Sequence, residues 1–240
     1  MAYHLNLRPI GRFGNTLFQY AFAKAYCEKY DAILHCDPGW IGYRIFNLTD
    51  PVPECVFTGV SDSDDKPYNK DADYSGYAQC QAAMLYTKEQ VRGWFSFKDE
   101  IFQCLKLLNH EQILAHRRVG DYASCGYPVV SEQSYYGACI KFGIDSADLV
   151  FVIEEKPSVL ECLPNDLSWL ADFYRLMNAD VLLRGNSSFS WWAAMLNKEG
   201  TILSPVIERS IGGFENNVEF VDGNYPRLAN LEFVTDLYVQ

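Results

Sequence analysis

No stretch of this chain stays apolar over the roughly 20 residues that a membrane-spanning helix needs, so no transmembrane segment is expected. The opening, MAYHLNLRPIGRFGN, also lacks the apolar stretch of a secretory signal, and the chain reads as soluble and cytoplasmic. Positive charge is scarce. Twenty Lys and Arg stand against 31 Asp and Glu, a formal net charge of −11, and no basic stripe is present to hold a nucleic-acid backbone. A small phosphate ligand is still compatible, because a few Arg and backbone N–H groups suffice for it. Cysteine pairs at metal or redox spacing are missing too: Cys27, Cys36, Cys55, Cys80, Cys104, Cys125, Cys139 and Cys162 form no C-x-x-C and read as mostly free, buried thiols. The sequons at Asn47 and Asn186 are then accidental. No G-x-G-x-x-G follows a strand, which disfavours a dinucleotide cofactor. No D-x-D follows an apolar strand either, since the SDSDD run from Ser61 to Asp65 lies in a polar segment, and no divalent metal is expected.

What the chain has in quantity is apolar and aromatic side chains. Hydrophobic residues make up 49% of 240, enough to build one large domain or two small ones. Aromatics at 15% fit a carbohydrate cleft and equally a Tyr-rich core. Trp40, Tyr43 and Tyr77 could stack on a sugar or pack in the core or at its rim.

Taken in order, Tyr3 to Leu7 alternate as a strand, Pro9 to Gly14 break the pattern, and Asn15 to Tyr30 turn helical before a second strand at Ala32 to Cys36. That is the opening of a parallel α/β sheet. The loop GRFGN, Gly11 to Asn15, lets backbone approach a ligand at a helix N-terminus. Thr58 to Ser75 are polar and acidic and read as a solvated loop. Gln81 to Leu108 are helical with a break near Gly93, a strand follows at Gln112 to His116, and the boundary between two halves falls near Asn109, giving residues 1–109 and 110–240. In the second half HRRVGDY, His116 to Tyr122, sits at the C-terminal end of a strand, where open α/β sheets bind ligands. Arg there suits a diphosphate, although an Arg–Asp surface pair is an equal reading. A helix follows Tyr135 and Tyr136. Asp148 to Glu154 read as a central strand, Asp166 to Ala179 as a helix, Thr201 to Ile207 as a strand, and Leu231 to Val234 as another in a mixed tail.

The most informative stretch is Val181 to Asn197, VLLRGNSSFSWWAAMLN. Three apolar residues suit a buried strand, Gly185 and Asn186 break it, and Phe189, Trp192 and Leu196 then recur at helical spacing. Asn186 or Ser187 would cap the helix, and its free N–H groups with the hydroxyls of Ser187, Ser188 and Ser190 would make an anion site. A capped core helix carrying two large aromatics is the plain alternative.

GRFGN with FQYAFAKA behind it, HRRVGDY and GNSSFSWWAAMLN together resemble the motifs of the α1,2-fucosyltransferase family, and more distantly those of the protein O-fucosyltransferases and α1,6-fucosyltransferases. The family's last motif, N-S-S-F-S-W-W-A-A-W-L, matches Asn186 to Leu196 with Met195 in place of its final Trp. Weaker matches are Gly76-Tyr77 with Gln79, Tyr135-Tyr136, and Asp172-Phe173-Tyr174. Two positions depart from the family: Val119 stands where it has a second arginine, and Ile153-Glu154-Glu155 replace its S-D-D.

The resemblance implies a GT-B-like α/β fold, two Rossmann-like halves facing a cleft, with the acceptor on the N-terminal side and the nucleotide sugar on the C-terminal side. It implies an inverting, metal-independent transfer of fucose from GDP-fucose to a hydroxyl of a glycan, with no cofactor. Carried over, Arg118, His116 and Asp121 look catalytic, Arg118 holding the β-phosphate. Gly14, Asn15, His116, Arg118, Asp172, Asn186, Ser187, Ser188 and Phe189 look donor-binding. Asp121, Glu154 and His116 are all possible bases for the acceptor hydroxyl. Two alternatives remain open, a related transferase for another nucleotide sugar and a sugar-nucleotide or glycan-binding module without turnover.

Overall fold

His4–Leu7 form strand β1, Phe13–Tyr30 helix α1 and Ile33–Cys36 strand β2. These are the first elements of a computed structural model that describes residues 2–51, 59–60, 71–79, 83–110, 112–154, 158–208, 215–223 and 238–239. Helix α1 is buried almost all round from Thr16 to Ala23 and gains charge only at Lys24, Glu28 and Lys29, so it is a core helix and not a surface one. It stops at Asp31, whose φ of 53° is left-handed, a conformation Asp tolerates better than most residues. Two short pieces follow, α2 (Gly42–Ile45) and β3 (Gly59–Val60), then β4 (Ala72–Tyr74) and α3 (Lys88–Trp94). Helix α3 begins with a capping box: Thr87 Oγ1 accepts from the Gln90 N–H, and Gln90 Oε1 from the Thr87 N–H.

The chain divides into two units, Met1–Asp99 and Glu100–Gln240. In the first, the four strands are all parallel in the order β2-β1-β4-β3. Strand β4 corrects the expectation of a solvated loop over Thr58 to Ser75. Ala72 and Tyr74 are buried, and Asn6 of β1 donates across to Asp73 at 3.0 Å. Three residues are too few to show a period, and the acidic sequence before them hides the strand. The rest of that segment lies mainly outside the described residues.

In the second unit α4 (Asp99–Leu105) precedes β5 (Ile113–Arg117), α5 (Tyr122–Cys125), β6 (Val129–Val130), α6 (Glu132–Phe142), β7 (Leu149–Ile153) and α7 (Trp169–Met177). Then come β8 (Val181–Leu183), α8 (Ser188–Leu196), β9 (Thr201–Glu208), β10 (Glu215–Asn216), β11 (Glu219–Asp222) and β12 (Tyr238–Val239). The main sheet runs β11-β9-β8-β5-β7, parallel except for β11, with β12 added to β9. Helix α6 covers one face, its Tyr135 and Cys139 sharing a core with Leu183, Leu203 and Phe220. On α8, Trp191 and Trp192 are both fully buried, so this helix is enclosed beyond the single face expected of it.

Two further expectations change. Asp148 to Glu154 supply an edge strand and not a central one: β7 pairs only with β5 among the described residues, and Val150 is exposed. An apolar run reads alike whether one face or both are covered. Cys104 and Cys162 are joined in a disulfide, whereas Cys27, Cys36 and Cys139 are free and buried and Cys125 is free and exposed. Partners 58 residues apart leave no sequence signal. Cys55, Cys80 and the strand expected at Leu231 to Val234 lie outside the described residues. No helix among those described is long and apolar enough to cross a membrane.

Candidate functional site

In the second unit the chain goes from β5 outward to β7, then returns to place β8 on the other side of β5. The reversal lies between the C-terminal ends of β5 and β8, where open parallel sheets bind ligands. Those ends carry HRRVGDY and GNSSFSWW. The two motifs touch: the His116 and Phe189 rings are 5.6 Å apart, and the Gly185 backbone passes so close to His116 that a Cβ there would lie 2.5 Å from its carbonyl oxygen. Tyr135, from the helix behind, donates to that same carbonyl at 2.7 Å.

Alternation along the strand end sends Arg117 and Arg118 to opposite sides. Arg117 pairs with Glu132 and Glu215 and donates to the Val130 carbonyl, which ties β5 to β6 and β10. Arg118 reaches the end of the neighbouring strand β7. It bonds Asp121 at 2.7 Å, pairs with Glu154 at the end of β7, and lies over the Tyr122 ring. Burial opposes its charge, but the Asp121 hydrogen bond and the Glu154 carboxylate outweigh it, and its pKa is raised. A fixed, fully charged guanidinium is the right group for a diphosphate.

His116 is 5% exposed. Burial first, and the Arg184 cation second, push its imidazole down to about 4, so it is neutral at neutral pH and a weak proton acceptor. Its Nδ1 is buried and has no hydrogen-bond partner among the described residues.

The turn before α8 is held by its own side chains. Ser187, the N-cap, accepts from the Phe189 N–H at 3.2 Å. Ser190 is fully buried and donates to the Gly185 and Ser187 carbonyls, so it is internal to the turn and does not serve the anion site expected of it. Ser188 is half-buried at the helix tip, while Asn186 is buried. Phe189 packs against Phe173 and Trp169 of α7. The Asp172 carboxylate, from the same helix, is engaged with Ser158 N–H and hydroxyl and with Arg175 at 3.2 Å, so in this structure it anchors the segment following β7.

The first unit has its own reversal, between β1 and β4. There Gly11 adopts a φ of 91°, α1 starts at Phe13, and Gly14 is buried inside its first turn. Asn15 Oδ1 accepts from Gln79 Nε2 at 2.8 Å, linking the GRFGN loop to the end of β4. Trp40 is buried under Tyr20 and meets Tyr43 edge-on, whereas Tyr77 is exposed.

Two contributors escape a reading of the sequence. Gln19 clamps the loop, accepting from the Ile10 N–H at 3.0 Å and donating to the Ile10 carbonyl at 2.7 Å; its signals are a polar residue in the buried stretch of α1 and its place in FQYAFAKA. Arg184 is fully buried behind the Gly185 turn and donates to Ser204. An Arg within an apolar strand end marks it. Among the described residues no three His, Cys, Asp or Glu side chains are grouped to hold a metal.

No family model and no curated protein matches the chain. Solved structures do. NodZ, an α1,6-fucosyltransferase soaked with GDP-fucose, is 14% identical with a TM-score of 0.58, over 92% of this chain and 99% of that one. The selenomethionine form of NodZ from Bradyrhizobium gives 13% and 0.60 over 92% and 99%. A mutant of Arabidopsis thaliana FUT1 in complex with GDP gives 11% and 0.53 over 92% and 74%. This chain therefore has the α/β fold of these GT-B fucosyltransferases.

Proposed function

We propose that this protein transfers fucose from GDP-fucose to a hydroxyl group of a glycan, with inversion at the anomeric carbon and without a metal ion. The observation that carries the reading is the meeting of the His116–Arg118 strand end with the Gly185–Phe189 turn at the reversal point of the second sheet. The α1,2-fucosyltransferase motifs and a fold shared with proteins solved with GDP or GDP-fucose support the choice of donor.

The acceptor oxygen forms a bond to C1 of the sugar while the bond from C1 to the β-phosphate oxygen breaks, and negative charge accumulates on the departing diphosphate. On this reading Arg118 neutralises that charge, and the N–H groups at the tip of α8 with Ser187 and Ser188 add to it. Buried His116 and half-buried Phe189 line the floor as neutral groups, which lowers the dielectric beneath the charges above them. The acceptor proton goes to a carboxylate, for which Asp121 and Glu154 are better suited than His116. In the first unit Asn15 serves the donor from the GRFGN loop, and that unit takes the acceptor. The α1,2 linkage is the one that the motifs favour.

Calorimetric titration of GDP and GDP-fucose in EDTA tests the proposal. Binding of both, followed by transfer or slow hydrolysis of GDP-fucose in EDTA, is expected. Failure to bind either, or preference for another nucleotide sugar, overturns it.

A further inference from the structure

After Tyr74 the chain turns back over the Gly11 loop in a strained conformation. Gly76 has a φ of 150° and Ala78 a φ of 50°, the left-handed region that an alanine avoids. Ala78 is fully buried while Tyr77, beside it, is 47% exposed. The turn is thus bent to hold an aromatic ring outward, the reverse of what hydrophobic burial alone would do. Strain of this kind persists only where the surroundings fix it, and it gathers at ligand sites.

The surroundings are specific. A Cβ on Gly11 would lie 3.4 Å from Tyr77 Cε1 and 3.3 Å from Asn15 Nδ2, so the ring edge and the carboxamide flank the same glycine. Gln79, two residues on, donates to Asn15 Oδ1. Ile10, next to Gly11, is exposed as well. An aromatic ring and two half-buried carboxamides therefore stand together at the C-terminal ends of β1 and β4, the reversal point of the first sheet.

We propose that Tyr77 is the platform on which a neutral acceptor saccharide rests, with Gln79, positioned by its bond to Asn15, hydrogen-bonding its hydroxyls. A pyranose presents a C–H face and a rim of groups that both donate and accept. An aromatic face matches the first and a carboxamide matches the second. The inference rests on the transferase reading above for the role of that saccharide, but the binding surface can be tested apart from it.

The full chain, wild type and with Tyr77→Ala and Tyr77→Phe, is applied to an array of neutral oligosaccharides that covers the common pyranose termini. GDP affinity is measured in parallel, and acceptor KM and kcat are measured for any glycan that is turned over. Wild type and Tyr77→Phe should retain a common set of glycans. Tyr77→Ala should lose retention at least tenfold, raise acceptor KM by a similar factor with less effect on kcat, and bind GDP as before. Retention by Tyr77→Ala equal to wild type overturns the platform, as does a wild type that retains none of these glycans. Loss of GDP binding in the wild type would overturn the transferase reading, while Tyr77-dependent glycan retention would still establish the platform.

Discussion

A methyl group on Gly185 would stand 2.5 Å from the carbonyl oxygen of His116, closer than a carbon and an oxygen can approach without displacement. The two motifs of the second unit are therefore in register only because position 185 has no side chain. Gly185→Ala must push β8 and β5 apart at their C-terminal ends or rotate the turn, a strain of about 1–3 kcal/mol. Transfer should fall on the order of a hundredfold, as a displacement near 1 Å in a reacting site does. Urea denaturation and initial rates on the same preparation check both; a variant with unaltered rate would mean that the two strand ends act separately.

Arg118 is held in place by Asp121 and Glu154 rather than left to solvent, so its guanidinium is organised before a ligand arrives. Arg118→Ala should lower kcat/KM for transfer by on the order of a hundredfold or more, the usual consequence of removing a charge that stabilises a developing anion. Arg118→Lys should recover part of this, since the charge returns without the fork that grips two oxygens. Near wild-type transfer by Arg118→Ala would remove this residue from the mechanism.

Much of this arrangement is legible in the sequence, for reasons that also explain the gaps. Helices α1 and α8 announce themselves because glycines precede both, Ser187 caps α8, and their bodies are long enough to show a pattern. The opposite directions of Arg117 and Arg118 follow from strand alternation alone. Strand β4 is invisible, since three residues have no period and its stability comes from pairing with β1. The edge position of β7 depends on strand order, which composition does not carry. Arg118 pairing with Glu154 joins the ends of two neighbouring strands that lie far apart in sequence. Ser190 shows the converse failure: a hydroxyl that looks available in a motif is turned inward onto the Gly185 carbonyl.

His116 gives stability a pH dependence whose sign is fixed by its environment. Burial and Arg184 lower its pKa to about 4 in the folded protein, against about 6.5 in the unfolded chain. Between these values the unfolded state binds the proton and the folded state does not, so stability is lost as pH falls from about 6.5 toward 4. The full loss is on the order of 3 kcal/mol. Denaturant titrations at pH 7 and pH 4.5 should show a smaller drop in His116→Gln than in wild type. The rate of transfer, in turn, should show no ionisation of His116 between pH 6 and 8. Equal drops in the two proteins would mean that the imidazole is solvated.

The Cys104–Cys162 bond closes a loop of 58 residues that runs from α4 through β5, α6 and β7. Constraint of the unfolded chain over such a loop is worth about 2–4 kcal/mol. Cys104→Ser, alone or with Cys162→Ser, should lower the unfolding midpoint of the second unit by roughly 10 °C, taking 2–4 °C per kcal/mol for a chain of this size. Because Cys162 lies between Ser158 and α7, reduction should also weaken the hold of Asp172 on Ser158. GDP affinity should then fall together with stability when dithiothreitol is added to wild type, and not when it is added to the double variant. Alkylation without prior reduction supplies the direct check, since both cysteines should stay unlabelled. Labelling of the pair in folded, oxidised protein would show that the bridge does not form.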